Sequence, residues 1–161
     1  FAKSLWTSNE LDLQRFETMT NFYNLCYREE EREMIPFCKD QNISVLPYSP
    51  VAKGFLTGKY TRNEKNDTIR FKTDPRLAER FFKPEDFDVL EIVMQISNEK
   101  GVKPAQIALA WLLEKNTAPI IGVTKKSHVE DAVESLNIKL TSNDMKQLEE
   151  PYKTHPITGY E

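Results

Sequence analysis

Ile43-Ser-Val-Leu-Pro-Tyr-Ser-Pro-Val-Ala-Lys-Gly-Phe-Leu-Thr-Gly-Lys-Tyr60 is the stretch on which the reading of the fold turns. It opens as a buried strand, with Ile43, Val45 and Leu46 apolar, then turns at Pro47-Tyr48-Ser49-Pro50 into a loop carrying Gly54 and Gly58. A strand that ends in an aromatic, a hydroxyl, prolines and two glycines is how an α/β protein builds a ligand lip. Glycine removes the Cβ so that backbone can approach a ligand, proline stiffens the approach, and Tyr48 offers a flat face to a planar ring.

Upstream of the lip, Phe16 to Leu25 contains a short strand, and Glu29 to Gln41 reads as a helix with acidic residues in its first turn and Met34, Ile35, Phe37 and Cys38 facing inward. Pro36 lies inside that helix and should kink or break it. The chain begins on Phe1-Ala2-Lys3-Ser4-Leu5-Trp6, which reads as the inside of an amphipathic helix, so a fragment or truncated product is expected; Thr7 to Arg15 reads as a polar turn.

Downstream, the loop continues to about Lys83 with little periodicity, and a connection of that length is usually functional or mobile. Val89, Ile92, Val93 and Ile96 then mark a helix over Pro84 to Lys100 that stops at Gly101, and Pro104 starts another, with Ala105, Ala108, Leu109 and Leu112 on one stripe beside Trp111. Pro119 to Val123 reads as a third, buried strand. Ser127 with Glu130 forms a capping box for a helix whose apolar stripe is Val129, Ala132, Val133 and Leu136. A last helix starts near Thr141, and His155 in the tail is expected to be solvated. Strands and helices thus alternate, which argues for an α/β fold with parallel strands.

Composition narrows the class. The chain has 161 residues, 39% hydrophobic and 29% charged, enough for one domain with a real core. No apolar run approaches the roughly 20 residues that span a bilayer, and no signal-peptide pattern opens the chain, so a cytoplasmic protein without a membrane partner is expected. Cys26 and Cys38 have neither metal-like nor redox-like spacing and read as small buried thiols. The net charge of −3 conceals nine basic and four acidic side chains between residues 53 and 83. Such a basic stretch is either a phosphate site or a solvated loop. It lacks the interleaved aromatics that stack on bases, so nucleic acid is not expected as a partner.

A second anion-binding feature lies at Gly122-Val123-Thr124-Lys125-Lys126-Ser127, where a strand, a glycine and a turn lead into a helix. First-turn N–H groups, the positive dipole end and two lysines converge there. The plain alternative is a capped surface helix.

These motifs carry a resemblance. The strand, aromatic, Ser-Pro and Leu-Thr-Gly of the lip, the Asn21-Phe22-Tyr23-Asn24-Leu25 run and the Pro104-Ala-Gln-Ile-Ala-Leu-Ala-Trp111 helix are similar to those of aldo-keto reductases, in the branch resembling fungal aryl-alcohol dehydrogenases. The resemblance implies a partial (β/α)₈ TIM barrel made of strands six to eight with their helices, the C-terminal half of the family's domain. It implies NADP as cofactor, held by Tyr48, Ser49, Pro50, Val51, Lys53 and Gly54 of the lip and by Gly122, Thr124, Lys125, Ser127, His128 and Asp131 of the helix start. Lys125, Ser127 and His128 would face the 2′-phosphate and adenine, and Asp131 the adenine amino group. Thr20 stands at the family's nicotinamide-binding glutamine, and its shorter hydroxyl reaches that amide only through water or a shift. Ser8-Asn9 follows a helix rather than a strand, so it is not the family's Ser-Asn pair.

The family's reactive Asp-Tyr-Lys-His set lies in its first half, and neither His128 nor His155 stands on a strand end, so no catalytic residue is assigned. Two readings follow. In one, the chain supplies the cofactor-binding half of an NADP-dependent oxidoreductase acting on a small carbonyl or alcohol, with aryl aldehydes and alcohols suggested by the branch. In the other, it is a non-enzymatic remnant that binds cofactor or forms homo-oligomers through open strand edges.

Overall fold

The computed structural model describes residues 1–62 and 68–157. Strands β1 (Thr18–Phe22) and β2 (Ser44–Tyr48) pair in parallel, with Thr18 opposite Ser44 and Phe22 opposite Tyr48. Parallel neighbours need a crossover, and here it runs through a 3₁₀ turn at Glu29–Arg32 and helix α2 (Met34–Asp40). The single helix expected across this region is split because the Pro36 ring would clash with the carbonyl of Arg32, four residues back. The break falls at Glu33, at φ −139°, which leaves Pro36 in the first turn of α2, where no N–H is required of it.

Helix α1 (Ala2–Glu10) covers the outer side of the strands and extends through Thr7 to Glu10, where a turn was expected. Leu5 from α1, Cys38 from α2, and Ile43 and Val45 from the strand region bury together as a small core. The larger core lies on the other side, built from Phe22, Tyr23, Phe55, Phe81, Trp111 and the aliphatic faces of the later helices.

Those later helices follow their punctuation. Helices α5 (Pro84–Lys100) and α6 (Pro104–Glu114) each begin on a proline, and the third residue reaches back to cap the N-cap amide: Lys83 N–H donates to Asp86 at 3.0 Å and Lys103 N–H to Gln106 at 2.9 Å. Gly101 ends α5 at φ 65°. Helix α8 (Ser142–Glu149) is capped reciprocally by Thr141 and Asp144. Helix α6 packs on α5 and α7 (Lys126–Ser135), and α8 packs on α5.

Four expectations are corrected. The long stretch before Lys83 contains two short helices, α3 (Ile69–Thr73) and α4 (Pro75–Arg80), while residues 63–67 of it lie outside the described residues. The third strand is reduced to one parallel bridge, Tyr48 with Ile120. Ala118 and Ile120 donate to the carbonyls of Val45 and Pro47 at 3.0 and 2.7 Å, but the ladder's return bond to Ala118 would need an N–H on Pro47, which has none. That segment is also not buried, since Ile120 is 48% and Val123 46% exposed. Ser127 does not cap α7: Lys125 occupies the N-cap without a side-chain bond, and the expected apolar stripe of α7 is mostly exposed. Finally, His155 is buried, with Nε2 2.9 Å from Asp86.

Candidate functional site

A cleft of about 510 Å³ opens between the lip after β2, the start of α6 and the segment leading into α7. The lip's backbone is unusual: Ser49, Ala52 and Lys53 lie at φ 54°, 48° and 55°, in the left-handed region that non-glycine residues enter at a cost of about 1 kcal/mol or more each. Gly54 at φ 94° and Gly58 at φ 78° take the more demanding positions. Hydrogen bonds offset this strain. The Ser49 carbonyl accepts from the buried Asn24 amide at 3.1 Å and from the Ala52 N–H at 2.9 Å, and the Gly54 carbonyl accepts from the Thr57 hydroxyl at 2.7 Å. Asn24 thus ties the end of β1 to the lip of β2.

The opposite wall is the start of α7. Lys125 ends the extended approach at φ −142°, ψ 150°; the His128 N–H donates to the Lys125 carbonyl at 3.0 Å, while among the described residues the Lys126 and Ser127 N–H groups have no backbone partner. The His128 Nδ1 accepts a long bond, 3.4 Å, from the Thr124 N–H, which folds the ring back over the helix start. Pro50, Val51, Ile121, Ala105, Leu109 and Ala132 give the cleft an apolar wall.

Its charges are mostly positive. Lys53 is paired with Asp74 at 2.7 Å, while among the described residues Lys59 and Lys125 have no ion-pair partner. Asp131 is the single acidic residue in the described lining, and Lys103 holds its carboxylate at 2.5 Å.

The structure therefore brings Pro50, Val51, Lys53, Gly54, Gly122, Thr124, Lys125, His128 and Asp131 to one cleft. Tyr48, Ser49 and Ser127 do not line it. The Tyr48 ring is partly exposed and stacks on Phe22 at 5.2 Å, one step along the lip from the cleft. Gly122 has open space where a Cβ would project, so its backbone does not demand glycine. Thr20 is exposed on β1 and lies away from the cleft. Lys59, Tyr60, Ala105 and Leu109 are lining residues that the sequence reading passed over. Lys59 was visible in the basic excess after residue 53, whereas Ala105 and Leu109 carried only the signal of a core helix.

The cleft offers cations, helix N–H groups and an apolar wall, which suits a flat anionic ligand. Among its described lining residues no carboxylate is hydrogen-bonded to a histidine or to another carboxylate. The Asp86–His155 pair, with the Tyr27 and Tyr152 rings beside it, is buried elsewhere and lines no part of it. Burial pulls the His155 imidazole down, but Asp86 and the Lys153 carbonyl outweigh it and raise its pKa above the ordinary value. Tyr23 is likewise pushed far up by burial and by its bond to Glu31, so it stays a phenol. Among the described residues no group of three or more histidine, cysteine, aspartate or glutamate side chains is placed to hold a metal, and no helix is long and apolar enough to cross a membrane.

The architecture is that of a parallel α/β segment with a cleft at its strand ends. Residues 4–153 match the aldo/keto reductase family, and the chain belongs to that family. It is 40% identical over 153 residues to a Schizosaccharomyces pombe protein that carries the provisional name aryl-alcohol dehydrogenase, an alignment covering 95% of this chain and 46% of that protein. It is 38% identical over 142 residues to the versiconal hemiacetal acetate reductase of Aspergillus parasiticus, covering 86% of this chain and 40% of the relative. A crystal structure of a thermostable aldo-keto reductase with the inhibitor epalrestat superposes with a TM-score of 0.59 over 83% of this chain and 39% of that one, at 21% identity, a likeness of fold alone. The chain thus spans under half the length of these relatives.

Proposed function

We propose that this chain is the nucleotide-holding part of an NADP(H)-dependent oxidoreductase that interconverts a carbonyl and an alcohol. The observation that carries the reading is the convergence of the Pro50–Gly54 lip and the Thr124–Asp131 helix start on a single cleft of about 510 Å³. Its size lies within the range of about 300–1,000 Å³ typical of small-molecule sites. Lys125, Lys59 and the first-turn N–H groups of α7 would hold phosphate, Val51, Leu109 and Ala132 would pack against adenine, and Tyr48 would meet the nicotinamide end from its place along the lip.

The bound dinucleotide would supply the hydride. This chain's own residues bind and orient it, and the proton-donating set belongs to a further segment or a separate chain. The S. pombe relative's name points to aryl alcohols as the substrate class.

NADPH titration followed by fluorescence tests the reading. Lys125→Ala should weaken binding about ten-fold, the size of one charge-assisted contact, and Tyr48→Ala should weaken NADPH more than an adenosine fragment that cannot reach it. Equal affinity in wild type and both variants would count against the cleft as the site. The exposed apolar side chains flanking the sheet favour a second reading, a self-associating module, which a light-scattering mass distinguishes.

A further inference from the structure

Asp131 is the anomaly of the cleft. Its carboxylate, on the second turn of α7, lines the same cleft as Lys125 on the side that would meet the adenine amino group, and alone it would oppose a phosphate bound in that cleft. It is not alone. Lys103, the N-cap of α6 and itself outside the cleft lining, holds its carboxylate at 2.5 Å.

The pair is built into the packing of two helices. Gln106 is 3% exposed, and its Nε2 donates to the Asp131 carbonyl at 3.1 Å and to Glu134 at 2.9 Å, while its Oε1 accepts from the Lys103 backbone N–H at 2.9 Å. Lys103 backbone, Gln106 and Asp131 therefore form a closed circuit that fixes both ends of the ion pair. The bond to Asp131 raises the Lys103 pKa, and Glu134 and Glu130 on the same helix as Asp131 add to that in a small way.

We infer that Lys103 is a specificity-determining residue: by neutralising Asp131 from behind, it lets the cleft accept a 2′-phosphorylated adenosine in preference to an unphosphorylated one. This rests on the nucleotide reading above and names the element of that site that selects the ligand. Lys103 touches no ligand. It acts through Asp131, so its removal makes the local field more negative without removing a ligand contact.

The test is a double-mutant cycle on the full chain, with dissociation constants for NADPH and NADH measured in parallel. Lys103→Met should weaken NADPH about five-fold, the scale of one solvent-exposed charge interaction, and NADH less than about two-fold. In an Asp131→Asn background, whatever that change does to binding on its own, Lys103→Met should alter NADPH affinity less than about two-fold, because the charge it would leave bare is already gone. Equal weakening of both dinucleotides by Lys103→Met, or the same weakening of NADPH by Lys103→Met in wild-type and Asp131→Asn backgrounds, would show that Lys103 only braces α6 against α7 and would overturn the inference. A wild-type chain that binds neither dinucleotide overturns the nucleotide reading and this inference with it, whereas binding of both with no change in their ratio overturns this inference alone.

Discussion

At the residue scale the structure makes its sharpest statement at His155. The side chains of His155 and Asp86 are 4% and 1% exposed, with Nε2 and Oδ1 2.9 Å apart. The other groups facing the ring are the Tyr27 and Tyr152 rings and the Lys153 carbonyl; Lys83 opposes protonation, while Glu29 accepts from the His155 backbone N–H rather than from the ring. A histidine pKa raised in the folded state contributes stability that is complete below the unfolded value, about 6.5, and is lost as pH rises through the higher folded value. The urea midpoint should therefore fall as pH is raised from about 6 towards 9, and His155→Ala, at a cost of about 3 kcal/mol at the acid end, should flatten that slope. A midpoint that rises over this range would sink the assignment. Glycines supply a second prediction. A Cβ at Gly58, φ 78°, would meet Met94 Sδ at 2.5 Å and Pro104 Cγ at 3.3 Å, whereas at Gly101, φ 65°, nothing lies within 4 Å. Gly101→Ala should cost about 1 kcal/mol from backbone alone and Gly58→Ala about 2 to 3, so the order of their denaturation midpoints checks the packing.

Element by element, the caps separate what the sequence could reveal from what it could not. Thr141 accepts from the Asp144 N–H at 3.1 Å and Asp144 accepts from Thr141 N–H at 2.8 Å, while Ser127 makes no cap. Thr141→Ala should cost about 1 kcal/mol in chemical denaturation, and Ser127→Ala should leave stability unchanged. Both positions carry the same sequence signature. They differ because the turn before α7 is set one residue pair earlier, by the Thr124–His128 contact and the extended Lys125. Helices α5 and α6 were legible because Pro84, Gly101 and Pro104 act on their own neighbourhoods. The third strand was not, because its ladder fails on Pro47, a residue of the neighbouring strand. His155 was misread for the same reason, since Asp86 and Glu29 reach it from distant parts of the chain. In the candidate cleft the glycines and lysines of the lip and helix start were readable from local chemistry. Ala105 and Leu109 were hidden because an apolar helix face looks the same whether it meets a core or a cleft.

For the whole molecule, the distribution of exposed apolar side chains predicts behaviour that no single element does. Trp6 at 62%, Leu11, Leu13 and Phe16 lie on the approach to β1, and Ile120, Val123, Val129, Val133 and Leu136 at 59% lie beyond the other side of β2. They therefore collect at the two flanks of the sheet, where among the described residues no further strand pairs with β1 or with the Ile120 segment. Unpaired ladder groups beside apolar side chains form a template for another chain, and burying them yields about 25 cal/mol for each Å² of apolar surface. The protein should accordingly self-associate as its concentration rises from about 10 to 200 μM, seen as a rising mass by light scattering. Val133→Glu combined with Leu136→Glu should lower that mass at fixed concentration while the unfolding midpoint of the monomer shifts little, because Val133 on α7 and Leu136 at its C-cap are each more than half exposed. A mass that stays monomeric throughout, or a double variant that lowers the midpoint as much as a core substitution, would show that these flanks are satisfied in solution.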